Sequence, residues 1–231
     1  EMTIVHPDGA PMSKDHMLGF WKMDGLETAV ECSRTSWSKW AIVTNIGKNV
    51  MHSDKHAYHV MHKANYLQTC RNQAEQNGVK FIEQRRMNAD EPSLTFDSRP
   101  PRASRNAMLQ HFLGQEIEVD KPVFDPSTAI LMDFRVDQSK GMHFIYLLPY
   151  SPTQALVEST LFSTTVLQRG YYENTIKNYL ADHYGASIKN IIHEEQGVIP
   201  MGTLSPHDES IPGIGANAGA IRPASGYTFV R

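Results

Sequence analysis

The chain has 231 residues, 40% hydrophobic and 20% charged, with a formal net charge of −3. That size and balance suit a globular protein with a substantial core, as one domain or two packed lobes. They argue against a nucleic-acid surface, which needs a basic excess, and no apolar run approaches the roughly 20 residues of a membrane span.

No signal peptide is visible. Cys32 and Cys70 lie far apart and read as two reduced thiols of a cytosolic protein, with a single disulfide as the other possibility. The chain opens on Glu1 and stops at Arg231, just after G-Y-T-F-V-R, which reads as the start of a helix. It therefore reads as an internal fragment.

In chain order, residues 2–6 read as a short strand stopped by Pro7, Asp8 and Gly9. An aromatic stretch with Trp21, Trp37 and Trp40 follows, and residues 40–44 have strand character. Residues 65–77 carry apolar side chains at helical spacing and end at Gly78; residues 79–82 follow as a strand. Helix, glycine and strand in succession suggest an α/β unit. Residues 89–104 are rich in proline, serine and charge, with a possible short strand at 94–96.

The middle is rich in strands, at 109–119, 129–136, 142–148 and 155–162, separated by turn signals such as Asp125-Pro126 and Ser139-Lys140-Gly141. The short gaps imply an antiparallel meander. A helix over 171–184 and a strand over 191–199 follow, then a loop rich in glycine and alanine over 213–226. The expected fold is mixed α/β: a partial nucleotide-binding, Rossmann-like layer interrupted by an antiparallel-sheet substrate lobe. The division by role is 1–104 and 201–231 for the nucleotide-binding region and 105–200 for the lobe.

Four features carry candidate chemistry. In A-L-V-E-S-T-L-F, strand alternation puts Leu156, Glu158, Thr160 and Phe162 on one face. An acid among apolar neighbours holds its proton tightly, which suits a proton donor or base; an edge-strand Glu reaching solvent is the competing reading. Asp133 and Arg135, two apart on a strand, read as a structural ion pair. Glu194 and Glu195 are adjacent and point to opposite faces, so at most one lines a given site. His52, His56, His59 and His62 have ligand-like spacing only on a continuous helix, but Ser53-Asp54-Lys55 reads as a turn, and no metal site is expected.

The loop G-I-G-A-N-A-G-A-I-R-P-A-S-G-Y offers close backbone approach to an anion through Gly213, Gly215, Gly219 and Gly226. The G-x-G-x-x-G that opens a dinucleotide fold is not in this chain.

Taken in order, several segments resemble the lycopene cyclase family of flavoproteins. They are L-G-F-W near Trp21, F-D-S-R-P from Phe96, Q-H-F-L-G from Gln110, F-D-P from Phe124, L-M-D-F-R from Leu131 and F-I-Y-L-L-P from Phe144. L-V-E-S-T from Leu156, E-x-G-x-I-P-M from Glu195 and R-P-A-S-G-Y ending at Tyr227 complete the set.

The resemblance implies an FAD-binding fold like that of aromatic hydroxylases and geranylgeranyl reductases. It also implies proton-initiated closure of lycopene ends to β-rings, giving γ- and β-carotene without net redox change. Reduced FAD acts there as a non-redox stabiliser, with NAD(P)H as its reductant. Glu158 matches the first acid of the family's acidic strand motif; the second is Ser159 here, facing the other way by alternation. Glu195 is the reserve acid or base. Gly215, Pro223 and Gly226 match the second flavin-contacting loop, with Gly213 and Ala216 as further candidate cofactor contacts; Ala216 stands where related hydroxylases carry Asp. Residues 2–6 correspond to the second Rossmann strand, whose end normally offers an acid to the ribose; His6-Pro7-Asp8 stands there. Phe134, Phe144 and Tyr146 are candidate linings of a polyene tunnel, or ordinary sheet core.

The expected partners are lycopene, a membrane surface and possibly other carotenoid enzymes, for a cytoplasmic protein peripheral to the inner membrane. The isolated segment is expected to be inactive and to hold FAD weakly. A redox flavoenzyme (a monooxygenase or isoprenoid reductase) and a non-catalytic polyene-binding protein are the alternatives.

Overall fold

The structure, a computed structural model, describes residues 2–6, 16–83, 94–99, 101–103, 106–201, 204–206, 208–222, 225 and 227. In chain order the first elements are β1 (Thr3–His6), β2 (Met17–Trp21), α1 (Glu27–Glu31), β3 (Thr35–Trp37), β4 (Lys39–Thr44) and β5 (Gly47–His52). Then come β6 (Tyr58–His62), α2 (Lys63–Gln76), β7 (Lys80–Glu83) and β8 (Arg102–Ala103). The central run is β9 (Met108–Val119), β10 (Thr128–Asp133), β11 (Met142–Pro149), β12 (Gln154–Ser163), α3 (Arg169–Tyr184) and β13 (Ile188–Met201). β14 (Leu204–Ser205) and a 3-10 turn (Gly215–Ala218) close the order.

The chain divides into two units, residues 1–36 with 59–94, and residues 37–58 with 95–231. In the first, β1 pairs in parallel with β7, and β2, β6 and β3 form a small sheet. The expected helix–glycine–strand unit is present: α2 ends at Gln76 with Asn77 as its cap, Gly78 takes φ 82°, a left-handed value that favours glycine, and β7 follows.

The second unit holds a seven-stranded sheet in the order β13-β9-β12-β11-β10-β4-β5. Its ladders are antiparallel except for β10 with β4. The expected simple meander is therefore corrected. β10, β11 and β12 do follow one another, but β9 lies beside β12, with β11 and β12 between it and β10. The loop between β9 and β10 is long enough to carry the chain past two strands, which a tight hairpin turn is not.

Two further expectations change. The strand expected over 129–136 ends at Asp133. There the Asp133 carboxylate accepts bonds from the Arg135 backbone N–H at 3.1 Å and the Arg135 Nε at 2.9 Å, a local turn that takes the chain out of the ladder. Residues 94–96 form no strand; Asp97, just beyond, makes an isolated bridge to Gly213. The helix expected after Gly226 lies outside the described residues.

One face of the sheet is covered by α3, which packs on β9 and β12. Tyr172, Ile176, Tyr179 and Leu180 fall on a single side of α3 and are buried against Leu113, Ile117, Ile145, Leu147 and Val157. Because strand side chains alternate, the other face carries Phe112, Gly114 and Glu116 of β9, Leu156, Glu158 and Thr160 of β12, and Phe144 and Tyr146 of β11.

Candidate active site

The site is built on that second face. In the ladder, Glu158 of β12 stands opposite Gly114 of β9, and Glu195 of β13 stands opposite the same Gly114 from the other side. The two glutamates thus flank one glycine on three adjacent strands. A Cβ placed on Gly114 would lie 3.2 Å from Glu158 Oε2, 3.2 Å from Glu195 Oε1 and 3.0 Å from Glu195 Cγ, so both side chains occupy the space above the glycine.

The surroundings of the carboxyls are largely apolar and aromatic. Tyr146 is the ladder partner of Glu158 on β11, and Phe144 is the partner of Thr160. Phe144 meets Tyr146, Phe162 and Phe134 with ring centroids 5.2, 5.8 and 5.6 Å apart. Phe112 leans over Gly197 of β13, where a Cβ would lie 2.5 Å from Phe112 Cζ.

Glu158 is half-buried by area, but protein atoms surround its carboxyl. This desolvation dominates and pushes the pKa from its ordinary 4.5 up to about 7. Two hydrogen bonds pull it back part of the way, one from Thr160 and one from Glu195. Thr160 Oγ1 donates to Glu158 Oε1 at 2.6 Å. A bond between two carboxyl groups requires a proton on one of them. The bond from Glu195 favours the ionised form of Glu158. Glu195 itself is buried.

Tyr58 joins the same site. Its hydroxyl is held well above its usual pKa by desolvation and then by Tyr146, Tyr227, Glu158 and Tyr150. The Trp37 ring lies 6.5 Å from Tyr58 and 6.4 Å from Tyr150. Tyr227, at the end of the glycine-rich stretch, thus shares a neighbour with the acid.

Several candidates fall on the opposite, α3-covered face. Ser159 is buried there, 2.8 Å from His143 Nε2, as alternation requires. Glu194 accepts from Gln115 Nε2 at 2.9 Å and pairs with Arg169. Asp133 is buried; burial alone would raise its pKa, but Arg135, with Nη2 at 2.6 Å, and the Tyr179 hydroxyl, at 2.8 Å, hold it below the usual value. These are structural anchors rather than parts of the site. Of the histidines, His52 closes β5, His56 lies in the following turn and His59 and His62 lie on β6. Among the described residues no three His, Cys, Asp or Glu side chains converge as metal ligands.

The glycine-rich loop is anchored by the F-D-S-R segment. The Asp97 carbonyl accepts from Ile214 N at 2.9 Å and Asn217 Nδ2 at 3.1 Å, while its carboxylate holds Arg99 Nε at 2.9 Å and Nη2 at 2.8 Å. A Cβ on Gly213 would lie 2.6 Å from the Asn217 carbonyl oxygen, so only glycine fits. Gly215 takes φ 60° with open space beside it, and Ala216 follows in the 3-10 turn. Residues 213–222 contain no acid and end in Arg222. Bare backbone, no carboxylate and one cation fit the diphosphate of a dinucleotide such as FAD. Pro223, Gly226 and Asp8 lie outside the described residues.

The residues that sequence reasoning missed are Gly114, Gly197 and Tyr58. Thr160 was already on the right face by alternation. Nothing local to Gly114 marks it as the meeting point of two distant acids.

A model of the family described as Lycopene cyclase protein matches residues 1–231. The chain is similar to a lycopene beta-cyclase from Pantoea ananas, 34% identical over 128 residues, which are 52% of this chain and 33% of that protein. It thus spans about a third of the length of that curated relative. In fold it is similar to a geranylgeranyl bacteriochlorophyll reductase-like protein from Thermoplasma acidophilum, at TM-score 0.64 and 14% identity, covering 98% of this chain and 66% of that one. It is also similar to a flavin-dependent halogenase from Xanthomonas campestris, at TM-score 0.60 and 11% identity, covering 99% of this chain and 62% of that one. These likenesses show that the mixed α/β, Rossmann-like architecture is shared with those two proteins.

Proposed function

The chain belongs to the lycopene cyclase family, and on that premise we propose that it closes the linear ends of lycopene into β-rings. The observation that carries this reading is Glu158, a carboxylic acid on an aromatic-lined face, enclosed by protein atoms that push its pKa up to about 7. Alkenes are very weak bases, so the donor must be neutral at working pH and shielded from water.

In the proposed reaction Glu158 delivers its proton to C2 of the terminal 1,2 double bond, leaving a tertiary cation at C1. The 5,6 double bond attacks C1, the six-membered ring closes and the charge moves to C5. The Glu158 carboxylate then takes a proton from C6, which forms the 5,6 double bond of the β-ring. The acid begins and ends protonated, and no electrons are gained or lost.

In this scheme a protonated Glu195 donates a hydrogen bond to Glu158 while Glu158 is ionised. That bond is strongest when the cation exists, so it lowers the barrier rather than only the ground state. Phe144, Tyr146 and Phe112 supply aromatic rings, whose faces stabilise a cation better than aliphatic walls do. Gly213, Gly215 and Ala216 would hold the FAD diphosphate, with Pro223 and Gly226 assigned to the same loop by family resemblance. Reduced FAD, kept so by NAD(P)H, supplies negative charge against the cation when bound.

By role, residues 1–104 and 201–231 serve the cofactor and 105–200 the polyene. Lycopene dissolves in membranes, so the enzyme works at the cytoplasmic face of the inner membrane, beside other carotenoid enzymes. Among the described residues no helix is long and apolar enough to cross a membrane.

The test is Glu158→Gln in the intact protein, in cells that make lycopene. Loss of about 100-fold or more of cyclised product is expected for removal of a general acid. Undiminished β-carotene in that strain would overturn the assignment.

A further inference from the structure

We infer that Gly114 is the positioning residue of the acid: its missing side chain lets the carboxyl groups of Glu158 and Glu195 meet above β9 in a hydrogen bond. The inference rests on the cyclase reading but deepens it, because it names what holds the acid at its working strength.

The geometry is specific. Neighbouring strands in a sheet lie about 4.8 Å apart, so β12 and β13, separated by β9, are held nearly twice that distance from each other. Two glutamates facing each other across an intervening strand must lean over its middle residue to touch. Gly114 is that residue for both, by register. The space a Cβ would take is already bounded by Glu158 Oε2 and Glu195 Oε1 at 3.2 Å and by Glu195 Cγ at 3.0 Å. Those contacts are tighter than ordinary van der Waals separation, so a side chain at 114 presses on both carboxyls at the point where they meet.

The consequence for acid strength has a definite sign. The Glu195 bond favours ionised Glu158 and so lowers its pKa, against the dominant upward push of desolvation. Parting the pair leaves desolvation less opposed, and Glu158 becomes a weaker acid. The other groups on this face are Thr160 on β12, Tyr146 on β11, Glu116 on β9 and His193 on β13, the last two paired one step along the ladder. Tyr58, Tyr150 and Tyr227 complete the set. All stay in place in a Gly114 variant.

The experiment compares Gly114→Ala, Glu195→Ala and Glu195→Gln with wild type in the intact protein, reading kcat, KM and the pH profile with lycopene. Gly114→Ala and Glu195→Ala are expected to lower kcat about tenfold and leave KM unchanged. Both are expected to move the alkaline limb of kcat up by about one pH unit, the loss of one charge-assisted hydrogen bond. Glu195→Gln retains an N–H donor and is expected to keep the wild-type limb, which a purely structural role for Glu195 does not predict. The carboxylic-acid infrared band, titrated from pH 5 to 9 without substrate, reads the same pair independently of turnover. Its component titrating near pH 7 should vanish in Glu158→Gln and titrate higher in Gly114→Ala.

A Gly114→Ala protein with wild-type kcat, limb and infrared titration overturns the inference. If Gly114→Ala does not fold, Glu195→Ala decides: an unmoved limb and band mean there is no bond for Gly114 to set. If wild type makes no cyclised product yet the infrared band shifts as described, the cyclase reading fails and the positioning role stands.

Discussion

Phe112 and Gly197 face each other across β9 and β13, and the phenyl ring fills the space a side chain on residue 197 would need, with Cζ and Cε1 2.5 and 2.7 Å from a Cβ placed there. Two residues further along β9, Gly114 meets Glu195 in the reverse arrangement, small on β9 and large on β13. The two strands thus exchange bulk at consecutive positions of one face, which sets where the ring and the acid stand.

Gly197→Ala should therefore displace Phe112 toward the polyene face. An overpacking cost of about 2 kcal/mol in unfolding free energy is expected, together with a raised KM for the polyene. Adding Phe112→Leu should recover most of the stability. Chemical denaturation and KM measurements on the single and double variants check this.

Glu158 makes stability depend on pH. Its folded pKa of about 7 exceeds the ordinary 4.5, chiefly through desolvation. Between those values the folded state binds more protons than the unfolded state, so stability falls as pH rises and levels off above about 7. At about 1.4 kcal/mol per pH unit the full effect is about 3 kcal/mol. Glu158→Gln cannot ionise, so it should be more stable than wild type at pH 8 by up to that amount, with little of the gain at pH 4.5. Thermal unfolding at the two pH values reads the difference.

Asp133 ties β10 to α3 through Arg135 and the Tyr179 hydroxyl on the side of the sheet away from Glu158. Asp133→Ala leaves Arg135 and Tyr179 without this acceptor and should cost about 3 kcal/mol of unfolding free energy. Because the pair lies on the other face, the alkaline limb of kcat should not move. Denaturation curves and a pH profile on one preparation separate the two effects.

Gly213→Ala drives a methyl group into the Asn217 carbonyl, 2.6 Å away, where backbone cannot yield cheaply. The loop over 213–222 should open and flavin affinity should fall about tenfold or more, a change of about 1.4 kcal/mol per decade. Flavin absorbance per protein after purification, compared with Gly219→Ala, measures it. At Gly219 a Cβ meets nothing within 4 Å but must accept φ 77°, so a smaller loss is expected there.

The sequence by itself determined what is local. Strand alternation, a period of two, put Leu156, Glu158, Thr160 and Phe162 on one face and Ser159 on the other, and it separated Glu194 from Glu195. The helix expected over 171–184 is α3, whose buried side carries Tyr172, Ile176, Tyr179 and Leu180. The order of strands was not local. A long loop can end beside any strand, and the place of β9 between β12 and β13 is seen only in the folded sheet, where α3 packs on β9 and β12. That placement decided that Glu158 has an acidic partner, that the partner is Glu195, and that both lean over Gly114, because hydrogen-bonded register joins residues whose sequence neighbourhoods carry no trace of each other.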